Sequence, residues 1–177
     1  MPDAATHILV PLSLIRLTEI TVNKELISAP VRYIFALGCI FPDLIDKSIP
    51  YSFKYLIQLG EKFYLIEENK YSPLEWEFLH TPFILLIVVY LFCFIFDAKL
   101  REKVFLSIAA GVGIHLIFDL LQGKICDVGY LWFFPFSFYK PTIVTLFYDD
   151  QTIILVPLFF IIFGISEIIF KYQQMSE

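Results

Sequence analysis

The chain has 177 residues, of which 58% are hydrophobic and only 18% charged, and its formal net charge is -5. A soluble domain averages ~45–50% apolar and ~25% charged residues. The apolar excess therefore excludes an ordinary soluble fold and predicts one membrane-embedded helical domain over residues 1–177. The acidic balance argues against nucleic acid, which wants a basic face, and leaves membrane lipids as the partner; nothing in the composition fixes an oligomeric state.

The chain opens on Met1-Pro2-Asp3-Ala4-Ala5-Thr6-His7, with an acid and a histidine where a cleavable signal would carry basic residues. These residues are expected to stay in the mature protein. A first helix is predicted from about Ala4 to Val22, interrupted early by Pro11 and amphipathic, with Ser13, Arg16 and Glu19 among its apolar positions. A second, Pro30 to Asp43, opens on a proline at a helix-start position and is expected to stop at Pro42. A third runs from His80 or Thr81 to Phe96, with Asp97 closing it. A fourth runs from Val104 to Leu121 and ends at Gln122-Gly123. A fifth covers Thr152 to Phe170. The fourth and fifth approach the ~20 residues of a bilayer span, whereas the first three are at or below it. Of the connections, Lys47 to Glu77 reads as an amphipathic helix at the interface. Asp127 to Asp150, dense in Tyr, Trp and Phe, reads as an interfacial loop. Cys39, Cys93 and Cys126 have no CxxC spacing and read as structural.

Folded up and down, these all-α elements carry the unusual residues to one end. His7 precedes most of helix one, Asp43 and Asp46 follow helix two, His80 opens helix three, and His115 and Asp119 close helix four. With the turn between helices three and four centred near Leu100, His80 and Asp119 lie about 30 Å from it along their helices. An isolated buried histidine is usually a hydrogen-bonded core residue. Three histidines converging with three aspartates in an apolar chain point instead to a metal site, because ionisable groups at membrane depth are costly. His115 and Asp119, at i and i+4, share a helix face, and Gly111 and Gly113 would let a neighbouring backbone approach. Nitrogen and oxygen donors fit Zn²⁺ first, then Mn²⁺ or Fe²⁺. Five ligands (His7, Asp43, His80, His115, Asp119) exceed a four-coordinate zinc with an open position, so either one supports the others or two metals bind.

In these motifs the sequence resembles the bacterial membrane-bound metal-dependent hydrolases, a family of LexA-binding, inner-membrane-associated proteins. The matching features are Thr6-His7, Gly38 to Pro42-Asp43 with Asp46, Leu79-His80-Thr81, Gly111 to His115 with Asp119, and Trp132 to Ser137. The acidic motif is PD-x-x-D, one residue longer than the family's PD-x-D. A two-histidine segment keeps only His80, with Glu75 or Glu77 the candidates for the other's place. The resemblance implies a hydrolase of the bacterial inner membrane, with Asp46, Glu75 or Glu77 as general base. Its metal arrangement is also similar to that of zinc-dependent phospholipases C, which implies phospholipid or other phosphodiester substrates. The alternative is a non-enzymatic structural or regulatory protein whose polar cluster holds helices together. A transporter ranks below both, because the fifth helix offers only Ser166 and Glu167. Seven basic residues (Arg16, Lys24, Arg32, Lys99, Arg101, Lys103 and Lys171) fall on the short-turn side, which is therefore expected to be cytoplasmic, leaving the site extracytoplasmic.

Overall fold

The structure, a computed structural model, describes residues 4–59, 78–123, 132–137, 147–148 and 152–176. The architecture is all-α. Its helices are α1 (Ala4–Val22), α2 (Ala29–Leu59), α3 (Pro82–Phe92), α4 (Ala98–Leu121) and α5 (Thr152–Met175), and 3-10 turns at Phe78–His80 and Cys93–Ile95 flank α3. A two-residue parallel pairing, Gln122 with Phe147 and Gly123 with Tyr148, is the one strand contact among the described residues. Three helices are long and apolar enough to cross a membrane, at Ala5–Val22, Ala98–Leu121 and Ile154–Met175, and a shorter apolar stretch covers Pro82–Ile95.

α1 has its expected bounds and runs through Pro11. The ring removes one N–H, so the His7 carbonyl goes without its usual helical partner. α2 departs from expectation. It does not stop at Pro42 but continues to Leu59, taking in the first part of the segment read as an interfacial helix; residues 60–77 lie outside the described residues. A mid-helix proline costs about 3 kcal/mol, and here burial offsets it: Phe41, Pro42 and Asp43 are all buried in succession. α4 begins at Ala98, directly after the 3-10 turn, so the reversal sits at Phe96-Asp97 and not near Leu100. The two arms are no longer equal. With 3-10 residues rising ~2.0 Å each and α-helical ones ~1.5 Å, the His80 arm is about 26 Å and the Asp119 arm about 33 Å, yet His80 and Asp119 still meet.

The core follows from spacing by four. Leu85, Val89 and Cys93 on α3 and Val104, Ile108, Val112 and Leu116 on α4 form two narrow stripes that close on each other and on Phe41 of α2. α2 and α4 meet backbone to backbone. A Cβ at Gly38 would lie 2.4 Å from the Ile108 carbonyl oxygen, and one at Gly111 would lie 2.4 Å from that of Phe35. Gly113, read alongside Gly111 as a point of close approach, faces open space. α1 joins through Leu12, packed with Phe35 and Cys39, and α5 lies along α1, where Ser13 Oγ donates to the Phe159 carbonyl at 3.4 Å.

The end opposite the histidines holds a second polar cluster. Glu19 is fully buried and accepts from Arg16 Nη1 at 2.8 Å and from Arg32 Nη2 at 3.1 and 3.0 Å. It also accepts from the backbone N–H groups of Leu26 and Ile27 at 3.0 and 3.2 Å, which fastens the turn between α1 and α2. Arg16 grips Glu167 of α5 through Nε and Nη2 at 2.6 and 2.8 Å, and its guanidinium lies over the Phe170 ring. Arg16 and Arg32 are therefore not the free positive charges that the count of short-turn residues assumed. Both are buried inside an ion network, which leaves Lys24, Lys99, Arg101, Lys103 and Lys171 on that side.

Candidate metal centre

Four elements converge on one buried point. α1 brings His7 in its first turn, α2 brings Asp43 just past Pro42, the 3-10 turn before α3 brings His80, and the last two turns of α4 bring His115 and Asp119. All five side chains are buried, the most exposed being Asp43 at 8%. His7 stacks on His115 with ring centroids 4.1 Å apart, and His80 lies 5.2 Å from His115. Asp119 sits among the three imidazoles. His80 Nε2 donates to its Oδ2 at 2.7 Å, His115 Nε2 lies 3.4 Å from the same oxygen, and His7 Nε2 lies 3.6 Å from Oδ1.

His115 shows what the cluster lacks. Its Nδ1–H donates to the Cys39 carbonyl at 2.6 Å, a contact permitted by the close crossing of α2 and α4 at Gly38 and Gly111. In the neutral ring this fixes the tautomer and leaves a lone pair on Nε2. Nε2 stands 3.4 Å from a carboxylate oxygen and has no hydrogen-bond partner among the described residues, so a proton or a cation must lie between the two acceptors. Neither ring nitrogen of His7 has one either. A buried polar atom without a partner is costly, and a positive charge between these acceptors would resolve several at once. A metal-binding histidine commonly donates its other ring N–H to a carbonyl in this way.

Two triads place one donor atom from each residue within 4.8 Å of the others: His7, His115 and Asp119, and Asp43, His80 and His115. Donors around one cation at ~2.0–2.2 Å stand about 3.3–4.4 Å apart, so the spacing is close to that of a metal site. The donor set, three imidazoles and two carboxylates, fits Zn²⁺, Mn²⁺ or Fe²⁺ better than Mg²⁺ or Ca²⁺. Both triads use His115. Since its Nδ1 is committed to Cys39, only Nε2 is available, so the triads compete for one nitrogen and overlap in one centre.

All five residues expected to bind metal are thus brought together. Of the candidates for general base, Glu75 and Glu77 lie outside the described residues, as does the side chain of Asp46. Cys126 and most of the aromatic segment Asp127–Asp150 do too. Within that segment, Trp132 packs against the α3–α4 core and Phe136 meets Phe83 edge-on. Cys39 and Cys93 are buried free thiols. Sequence reasoning missed the Arg16–Glu19–Arg32–Glu167 network. The i, i+3 pair Arg16 and Glu19 inside an apolar helix was the available signal.

The fold and cluster define a multi-helix membrane protein with a buried His/Asp centre at one end of its bundle. The chain matches the YdjM inner membrane protein family over residues 1–176 and belongs to it. No curated protein and no solved structure matches the chain.

Proposed function

We propose that this chain is a metal-dependent hydrolase of the inner membrane. The observation that carries the reading is His115, held by Cys39 with its Nε2 lone pair turned on Asp119 in a buried cluster of three histidines and two aspartates. Zinc is the first choice of metal. A divalent cation held there would acidify a water and polarise a phosphoryl or acyl oxygen. The chain's own residues do the rest. His7, Asp43, His80, His115 and Asp119 supply the donors, Cys39 fixes the tautomer of His115, and the core stripes keep bulk water away. The resemblance supports Asp46, Glu75 or Glu77 as the group that takes the proton from the attacking water. Hydrolysis then forms one new bond from the water oxygen to phosphorus or carbonyl carbon, and the leaving oxygen departs with the bonding electron pair and takes up a proton.

The density of Lys99, Arg101 and Lys103 in the first turns of α4 supports placing that end in the cytoplasm and the centre toward the extracytoplasmic side. Reporter fusions after Glu177 and within residues 54–70 test the orientation. The hydrolase reading is tested by metal analysis of the purified protein and by hydrolysis of lipid phosphodiesters. His115→Ala and Asp119→Ala should each lose tight metal binding while remaining in the membrane fraction; unchanged stoichiometry in both ends the reading. The depth of burial favours a second one, a closed structural site that clamps helices together without turnover. In that case chelation would loosen the bundle, and metal-loaded protein would hydrolyse nothing.

A further inference from the structure

The five ligands of the centre come from two groups of helices. Asp43, His80, His115 and Asp119 belong to α2, the 3-10 turn before α3, and α4. These elements share one core and meet backbone to backbone at Gly38 and Gly111, so they form a frame with little room to shift. Within the frame the ligands are tied: His80 donates to Asp119 at 2.7 Å and His115 to the Cys39 carbonyl at 2.6 Å. His7 is the one ligand from α1. It stacks on His115 and meets Phe118 edge-on, yet neither of its ring nitrogens has a hydrogen-bond partner among the described residues.

α1 is weakest just behind this ligand. Pro11 follows His7 by four residues and leaves the His7 carbonyl without its helical bond. α5 runs alongside in the same direction and has its own interior proline, Pro157. Ser13 and Phe159, joined by a hydrogen bond, stand two residues beyond Pro11 and Pro157, so the two prolines lie at one height. Past that height both helices are fastened, by Ser13 to Phe159 and by Arg16 to Glu167 and Glu19. Sharp bends in helices fall at prolines. The part of α1 before Pro11 can therefore move with the matching part of α5, while the rest of both stays with the frame.

The closed position of this tip is poorly satisfied without a cation. Thr6 and His7 bury three polar side-chain atoms there, Thr6 Oγ1 and both His7 ring nitrogens, and none has a hydrogen-bond partner among the described residues. Each is costly to leave unpaired, and water would satisfy all three once the tip swung out. A cation reverses the balance. His7 Nε2 lies 3.6 Å from Asp119 Oδ1, and a metal held between them would draw the tip down. A ligand shifts a conformational equilibrium only by binding one state better, and here the closed state offers one more donor than the open one. Exchange of anything with the centre also needs such a movement, because all five ligands are buried.

We propose that the segment of α1 before Pro11 is a metal-operated latch, hinged at Pro11 and Pro157, whose closing through His7 seals the centre and whose opening admits the cation. This rests on the metal-binding part of the hydrolase reading and not on turnover, so the test reads amide exchange and metal content.

Hydrogen exchange is followed by mass spectrometry on full-length protein in phospholipid nanodiscs, stripped with EDTA or loaded with Zn²⁺, with bound zinc measured in parallel. Amides of residues 8–10 should exchange roughly tenfold more slowly with zinc, whereas those of residues 112–116 change less than about twofold. Pro11→Ala regains the missing N–H and should slow the metal-free exchange of residues 8–10 about threefold. His7→Ala should exchange fast there at every Zn²⁺ concentration. Equal slowing of both segments means a bundle-wide clamp and overturns the latch while the metal centre stands, as does bound zinc without slowing at residues 8–10. Zinc protection of that segment in His7→Ala overturns the part given to His7, and unslowed exchange in Pro11→Ala overturns the hinge. Protein that binds no zinc removes the latch and the hydrolase reading together.

Discussion

The bundle buries two clusters of ionisable side chains, and they are opposites in their hydrogen bonding. In the network of Arg16, Glu19, Arg32 and Glu167, donors and acceptors answer one another: Glu19 takes two arginines and two backbone N–H groups. In the centre formed by His7, Asp43, His80, His115 and Asp119, His80 donates to Asp119 and His115 to the Cys39 carbonyl, but both ring nitrogens of His7 and Nε2 of His115 remain without hydrogen-bond partners among the described residues. Buried charge as such does not mark a site. What marks one is a deficit that something from outside must fill. The first cluster pairs its charges and holds helices together, although Arg32 Nε is left without a hydrogen-bond partner among the described residues, and the second is complementary to a cation.

Removing a member of the charge-paired cluster should have the largest effect. Glu19→Ala removes the carboxylate closest to the buried Arg32 and leaves Arg16 with Glu167 alone, and breaking a buried pair costs about 3–5 kcal/mol. Unfolding in detergent micelles should show a loss of that size, with metal still bound by whatever protein remains folded. A loss below about 1 kcal/mol would mean that the network is ornamental. The incomplete cluster should respond in the other direction, gaining stability when Zn²⁺ is added. At a hundredfold excess over Kd the gain is about 2.7 kcal/mol, and His115→Ala should erase it. That gain should shrink as pH is lowered, because bound metal displaces protons from its ligands and uptake therefore releases them. A zinc effect that does not change with pH would argue against ligation by protonatable side chains.

Between the clusters lies the crossing of α2 and α4, and two glycines two residues apart in sequence should part company there. Gly111→Ala drives a Cβ into the Phe35 carbonyl and should cost about 1–3 kcal/mol. It should also weaken metal binding, since the Cys39 contact that orients His115 spans the same crossing. Gly113→Ala meets nothing within 4 Å and should raise stability by about 0.5–1 kcal/mol. Equal effects from the two would show that the crossing is looser than described.

Much of this was legible in the sequence because it was written in periodicity. α1, and the starts or ends of α4 and α5, follow from apolar runs and their terminators. The convergence of His7, Asp43, His80, His115 and Asp119 follows from counting residues between turns. The passage of α2 through Pro42 was not legible, because it depends on burial that outweighs a local penalty. Nor was the pairing of Arg16 with Glu167, which joins residues 151 positions apart. Local rules also assigned Gly111 and Gly113 the same role, although only the helix that passes them tells them apart. The paired network was hidden for a related reason: in sequence, Arg16 and Arg32 look like loop charges, and only the fold turns them inward.

The long reach of Arg16 has a consequence for biosynthesis. α1 leaves the ribosome with Arg16 and Glu19 in its apolar length, and Arg32 follows within one more turn and loop. The carboxylate of Glu167, however, is made only with the last helix. Until then one face of the Arg16 guanidinium has no counter-charge, and α5 packs mainly on α1. The first helix to be synthesised therefore cannot reach its final state before the last one arrives. Chains that terminate early would carry an uncompensated arginine in the bilayer, a feature by which membrane quality control could recognise them as unfinished.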